Sequence, residues 1–471
     1  MAQGYSVEEA LVAATRQLQG AFAFALLTTH TPETLWCARH ESPLVLGVGD
    51  ATCYLASDVN AFARHTRQAV FLHDGEYAIL RPHDYTVKSL RTTVELTRAP
   101  VHMAWSNGHR VERGSYSHFM LKEIHAGADC VETALAIPMA EIAALAQRLG
   151  DSRRLYFTGM GTAYYVALLA QYYFATLADC YVPVISADEF PMLAKVAPGA
   201  LTLAVSQSGE TYDTLKALRY ARTQGSATAA VVNAPGSSMT REVDHVLLQE
   251  AGPEICVLST KSTISQITIL LRLALELARQ RGQLDATRYH EHARALVDLP
   301  DTLRKMYSAL IPPIRRVAHA YSHIQNWLFI GRGIYSAVAL ESALKFKEVS
   351  YLHAEGMSGG FLKHGTIALI DAHTHSLAFL PAADEPGLLQ ATLTNIQEIR
   401  ARDGLVIGIH QHEDSGVRAS CTDEIIVPAT PALVTPLVYL TAGQMLAYYT
   451  ALALGRNIDK PRALAKSVTV V

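Results

Sequence analysis

Residues 154–178 read RLYFTGMGTAYYVALLAQYYFATLA, and residues 326–350 read NWLFIGRGIYSAVALESALKFKEVS. Each is an apolar run of strand length, a Gly-x-Gly turn and an apolar stretch of helix length, with Gly159 and Gly331 standing 172 residues apart. Each continues into a second strand-like run, LTLAVS or HSLAFLP, and a third, TAAVVNA or GLVIGIH. Strands alternating with helices imply parallel sheets covered on both faces, so the repeat predicts two similar doubly wound α/β domains. We place them at residues 136–295 and 296–455, with a tail at 456–471.

The front of the chain has a different period. Ser6-Val-Glu-Glu9 is a capping-box pattern opening a short helix, and AFAFALL, TLWCAR, PLVLGV, CYLASD and VFLHDGEYAIL follow as strand-length runs. The Asp74-Gly75 pair in the last run predicts a hairpin. Residues 1–100 therefore read as a separate, mostly β unit, and residues 101–135 as a polar connector.

A chain of 471 residues, half apolar and 18% charged, is globular and too long for one core of about 150 residues. With 40 basic against 43 acidic residues it has no electrostatic footprint for nucleic acid or an anionic membrane, so any phosphate must be held locally. The six cysteines form no C-x-x-C pair, which points to neither a zinc knuckle nor a disulfide framework and suits the cytoplasm. No export signal opens the chain, and the uncharged run from Val427 to Gly455, broken by prolines, predicts a buried helix. Three His-x-His pairs lack the companions a metal needs, so neither metal nor cofactor is expected.

Three turns and the tail carry the chemistry. Gly159-Met-Gly161-Thr162 leaves backbone N–H groups open at a strand-to-helix turn. Ser206-Gln-Ser-Gly-Glu-Thr211 adds hydroxyls at the positive end of the next helix, which suits a phosphate dianion without net positive charge. Val257-Leu-Ser-Thr-Lys-Ser262 opens a third helix and can close over the same ligand, although capping alone would also explain it. Glu341, Lys345 and Glu348 share one helical face, either a solvated ion-pair stripe or an acid/base set. Lys466 is a tail lysine that could form an imine with a sugar carbonyl if its position allows.

Taken together, SPLVLG, YLASD, HFMLKEI, SQSGET, NAPGSS, STKS, ESALKFKEVSYLHAE, LKHG and PRALAKSVTV resemble the isomerising glutamine:fructose-6-phosphate aminotransferases over essentially the whole chain. The resemblance implies two sugar isomerase (SIS) domains behind a partial N-terminal-nucleophile glutaminase of αββα type. It also implies formation of glucosamine 6-phosphate from fructose 6-phosphate, with glutamine-derived ammonia. Residue by residue it makes Ser206, Gln207, Ser208 and Thr211 the phosphate loop and puts Thr162, Val257, Ser259 and Ala465 near the sugar. Lys466 becomes the imine-forming lysine, Glu348 the acid/base between C1 and C2 assisted by Lys345, and His364 the ring-opening histidine of a neighbouring subunit, hence a homodimer. Ala163 and Phe361 depart from the family pattern, where a serine and a glutamate stand. The glutaminase nucleophile has no counterpart at Met1-Ala2-Gln3.

The leading expectation is the synthase half of a split enzyme, with a separate glutaminase polypeptide or free ammonia supplying nitrogen. An ammonia-dependent or deaminating sugar-phosphate isomerase would keep the same three catalytic residues. A non-enzymatic SIS-type sensor would need only the phosphate loop.

Overall fold

The two repeats fold as their sequences predict. In the computed structural model, which describes residues 4–103 and 112–469, strands Val184–Ser186, Arg154–Gly159, Ala200–Ser206, Ala227–Val232 and His245–Leu248 lie in that order in one parallel sheet. The second sheet repeats the order with His353–Ser358, Asn326–Gly331, His375–Phe379, Leu405–His410 and Asp423–Ile426. The correspondence extends to torsion angles: Gly161 (φ 54°, ψ −123°) and Gly333 (φ 55°, ψ −134°) cap helices Thr162–Ala178 and Ile334–Ser350, each 17 residues long. Positive φ with that ψ is closed to residues bearing a Cβ, which is why glycine stands at both.

The boundary expected between residues 295 and 296 falls inside one continuous helix, Ala286–Tyr321, of 36 residues. Its apolar face, including Leu296, Leu303, Met306, Leu310, Ile314 and Val317, is buried in a core common to both repeats. The connector expected at 101–135 also needs correction. Phe119–His125 and Gly127–Ala136 are helices, and Met120, Ile124, Ala128, Val131 and Ala134 enter that same core. Helix Thr435–Ala453, from the long uncharged run, is buried against helix Ile334–Ser350. Among the described residues no helix is long and apolar enough to cross a membrane.

The front unit is a sandwich of two antiparallel sheets. One orders Phe22–Leu26, Leu35–His40, Glu76–Leu80, Tyr85–Ser89 and Glu95–Leu96; the other orders Cys53–Ala56, Val45–Val48, Gln68–Phe71 and Val101–His102. Helix Val7–Thr15, held by the expected capping box of Ser6 and Glu9, covers the first sheet with Val7, Leu11 and Val12. Asp74-Gly75 closes no hairpin. The strands on either side of it belong to different sheets, because Val70 and Leu72 must face Ala78 and Leu80 across the sandwich core. The turn instead carries the chain between layers, and the Asp74 carboxylate accepts from Arg39 and the Glu41 amide. Among the described residues this makes an αββ stack. The outer face of the second sheet meets the first repeat, where the Arg241 guanidinium lies 4.3 Å from the centre of the Phe71 ring. Met1, Ala2 and Gln3 lie outside the described residues.

Candidate active site

In the first sheet, strand Arg154–Gly159 is flanked by Val184–Ser186 on one side and Ala200–Ser206 on the other, so successive connections run to opposite sides of it. Such a switch opens a crevice at the carboxyl ends of the strands. The Gly159–Thr162 turn and the Ser206–Thr211 loop both start there. The resulting cavity, of about 310 Å³, is lined by Thr162, Ser206, Gln207, Ser208, Thr211, Val257, Ser259, Lys345, Glu348, Ala465 and Lys466, among others. Eleven of the twelve predicted site residues thus meet in one space, from five separated segments.

The phosphate-loop candidate is built by local hydrogen bonds. Gly209 N–H donates to Ser206 Oγ at 2.9 Å, and Glu210 N–H to Ser208 Oγ at 3.1 Å. Gly209 has φ +67°, and a Cβ there would lie 2.1 Å from Ser237 Oγ, so the turn admits only glycine. Helix Tyr212–Thr223 follows with no side-chain cap from Thr211, so the positive end of its dipole stands at the loop. The tail crosses here: Tyr212 N–H donates to Val468 O at 3.1 Å, and Ser467 Oγ lies 3.0 Å from Ser208 Oγ.

Lys466 is not a solvated tail lysine. Its Nζ donates to Glu254 Oε2 at 2.6 Å, with the lysine side chain 26% exposed and that of Glu254 fully buried. Glu254 also accepts from the Thr260 and Ser262 N–H groups and the Ser262 hydroxyl. Burial pushes the Glu254 carboxyl up, but the Lys466 ammonium and these donors outweigh it and hold it well below the usual carboxylate range. Neighbouring Glu123 goes the other way, pushed up to about 7 by burial and by the charge of Glu254. The tail reaches this place because Val257 N–H donates to Asp459 O, and the Asp459 carboxylate caps helix Phe119–His125 by accepting from Phe119 and Met120 N–H.

The Glu341, Lys345, Glu348 stripe faces inward. Lys345 Nζ lies 2.6 Å from Glu348 Oε2 and 3.8 Å from Glu341 Oε1, and Thr162 Oγ1 donates to Glu341 Oε1 at 3.1 Å. Burial pushes the Lys345 ammonium down, yet Glu348 and Glu341 outweigh it and raise its pKa. Burial pushes Glu341 up to about 8, with Glu348 adding to the rise and Lys345 opposing it. The result is an amine, a carboxylate beside a buried ammonium, and a donor-rich loop around one cavity, the set that carbonyl-amine chemistry on a phosphorylated substrate needs.

His364 is the predicted residue this chain does not bring to its own cavity. It ends the 3-10 turn Gly359–His364 and is exposed. Of the two departures, Ala163 lies in the cavity wall and offers no hydroxyl, while Phe361 is 71% exposed and outside it. Sequence reasoning missed Glu254, which sits in Ala251-Gly-Pro-Glu254, a stretch that reads as a polar turn. Its meaning comes from a lysine 212 residues away. Among the described residues no group of three or more His, Cys, Asp or Glu gathers as a metal would require.

The SIS domain family matches this chain at residues 148–276 and 321–454. Glutamine–fructose-6-phosphate aminotransferase (isomerizing) of Methanococcus maripaludis is 39% identical over 457 residues, covering 97% of this chain and 74% of that protein. The protein of the same name from Thermococcus kodakarensis is 38% identical over 468 residues, covering 98% and 76%. Among solved structures, the C-terminal domain of glucosamine-fructose-6-phosphate aminotransferase from Francisella tularensis is similar with a TM-score of 0.69 and 30% identity, covering 74% of this chain and all of that one.

Proposed function

Because the chain belongs to the family of isomerising glutamine–fructose-6-phosphate aminotransferases, we propose that its cavity converts fructose 6-phosphate and ammonia to glucosamine 6-phosphate. The observation that carries this reading is the convergence of Lys466, Glu348 and the Ser206–Thr211 loop on one space. The loop amides and hydroxyls of Ser206, Gln207, Ser208 and Thr211 take the phosphate, with Thr162, Val257, Ser259 and Ala465 along the sugar. The Lys466 ammonium gives its proton to solvent, and the amine, fixed by Glu254, adds to the C2 carbonyl and water leaves, giving an imine. Ammonia adds at that carbon and the lysine leaves. Glu348, poised by the Lys345 ammonium, then carries a proton from C1 to C2 while the O1 hydroxyl gives up its proton and the imine nitrogen gains one, so that the ketose imine becomes the aldose amine.

His364 opens the sugar ring in a neighbouring subunit's cavity, a reading supported by its exposure and its absence from the lining of its own cavity, and the active form is a homodimer in the cytoplasm. The ammonia comes from solution or from a glutaminase fragment seated on the front sandwich. What supports a fragment is the edge strand Phe22–Leu26, which among the described residues pairs on one side only and is followed by Leu27, 73% exposed. The purified chain is assayed with fructose 6-phosphate and either ammonium or glutamine. Glucosamine 6-phosphate from ammonium, rising with pH as ammonia forms, is the expected result; no amination from either source would refute the reading.

A further inference from the structure

One wall residue of the cavity is out of keeping with a finished protein interior. Gln266 lies on helix Lys261–Gln280, one turn beyond Ser262, is 1% exposed and lines the cavity beside Lys345, Glu348 and Lys466. Among the described residues neither its Oε1 nor its Nε2 has a hydrogen-bond partner. A buried primary amide normally finds partners, since leaving its donor and acceptor unpaired costs free energy at both ends. The buried hydroxyls around it on the helix all have partners, Ser262 donating to Glu254, Thr263 to Ser259 O, Ser265 to Gln249 O and Thr268 to Ile264 O, and other neighbours, such as Ile264, Ile267 and Leu270, are apolar. At the phosphate end of the same wall, buried Thr214 Oγ1 is likewise without a partner.

We infer that Gln266 is a substrate-recognition residue whose amide grips a hydroxyl of the sugar carbon chain between the phosphate and the carbonyl. An amide presents a donor and an acceptor side by side, and a sugar hydroxyl gives and takes a hydrogen bond, so one such group satisfies the pair. A site built to hydrogen-bond a hydroxyl discriminates strongly against ligands that lack it, because its own buried groups are then left unpaired. The phosphate and the carbonyl are each served elsewhere, by the loop and by Lys466, which leaves Gln266 to read the carbons between them. This rests on the sugar-phosphate reading above.

The test is calorimetric titration of the full chain with fructose 6-phosphate and, separately, inorganic phosphate, alongside melting of the ligand-free protein, for wild type, Gln266→Met, Gln266→Glu and Ser208→Ala. We expect Gln266→Met to weaken fructose 6-phosphate at least tenfold, to leave inorganic phosphate within twofold, and to melt no lower than wild type. Gln266→Glu, which keeps an acceptor and loses the donor, falls between and carries the test if the Met variant does not fold. Unchanged sugar-phosphate affinity in these variants overturns the inference, as does a lower melting temperature with equal losses for both ligands. If wild type binds no fructose 6-phosphate, the proposed function fails; if Ser208→Ala weakens it and the Gln266 variants do not, this inference alone fails.

Discussion

The two SIS repeats share a backbone and differ in the residues they set at equivalent places, a difference that the proposed function reads as a division of chemistry. At the end of its third-ranked strand the first repeat places Ser206-Gln-Ser-Gly-Glu-Thr211 before helix Tyr212–Thr223, whereas the second places Leu380-Pro-Ala-Ala-Asp-Glu385 before helix Pro386–Arg400. Three hydroxyls stand in the first, whose one carboxylate, Glu210, is turned to the Ser238 N–H, and none in the second, where Asp384 and Glu385 stand and Glu385 accepts from the Tyr335 hydroxyl at 2.6 Å. Under the proposed function the phosphate goes to the first, and the second offers it no comparable set of donors. The glycine-turn helices differ in the opposite sense. Positions matching Glu341, Lys345 and Glu348 in the first repeat are Leu169, Tyr173 and Thr176. One fold can therefore carry either half of a site, and residue chemistry at equivalent places decides which.

The strongest way to break this division is at the tail, which belongs to neither repeat. Lys466→Ala should abolish glucosamine 6-phosphate formation while fructose 6-phosphate binding stays measurable by calorimetry; full turnover would remove the lysine from the mechanism. In the second repeat, Glu348→Gln should lower kcat by roughly 10²–10⁴-fold with KM little changed, as loss of a positioned acid/base does. In the first, Ser208→Ala should act on affinity, weakening fructose 6-phosphate by about 1–3 kcal/mol for a lost charge-assisted contact. Its counterpart Glu385→Gln should leave that affinity where it was. A kcat loss in Ser208→Ala, or an affinity loss in Glu385→Gln, would show that the repeats do not divide the work.

The smallest effect on turnover, and the most revealing of the buried charges, comes from Glu341. Its carboxyl titrates near 8 when folded against about 4.5 when free, so between those values the folded state holds more protons. The stability this confers is complete below about pH 4.5 and is lost as pH rises through 8. Glu341→Gln cannot ionise, so its melting temperature relative to wild type should climb across that window; a difference independent of pH would mean the carboxyl is not held neutral.

The repeats were legible because two signals coincide in each: a Gly-x-Gly turn and a run of apolar residues long enough for a helix. The front strands were legible as strands, but their assignment to two sheets was not, since Asp74-Gly75 looks local and its use is set by packing across the sandwich. The seam was hidden because Pro300, Pro312 and Pro313 sit inside a continuous helix, where such residues usually end one. Helix Phe119–His125 was too short for its period to stand out. At the site, loops and stripe could be read from residue types, whereas Lys466 needed the resemblance, because a lysine among small residues says nothing until Glu254 is placed against it.

Helix Ala286–Tyr321, about 54 Å long at 1.5 Å per residue, has a bearing on how such a division could arise. Two tandem copies joined by a slack tether would each have to stay competent alone, since neither could count on where the other stood. A girder shared by both removes that demand. With their relative placement guaranteed, one copy is free to discard its acid and base and the other its anion cradle, and losses that would disable a solitary unit become a partition of labour.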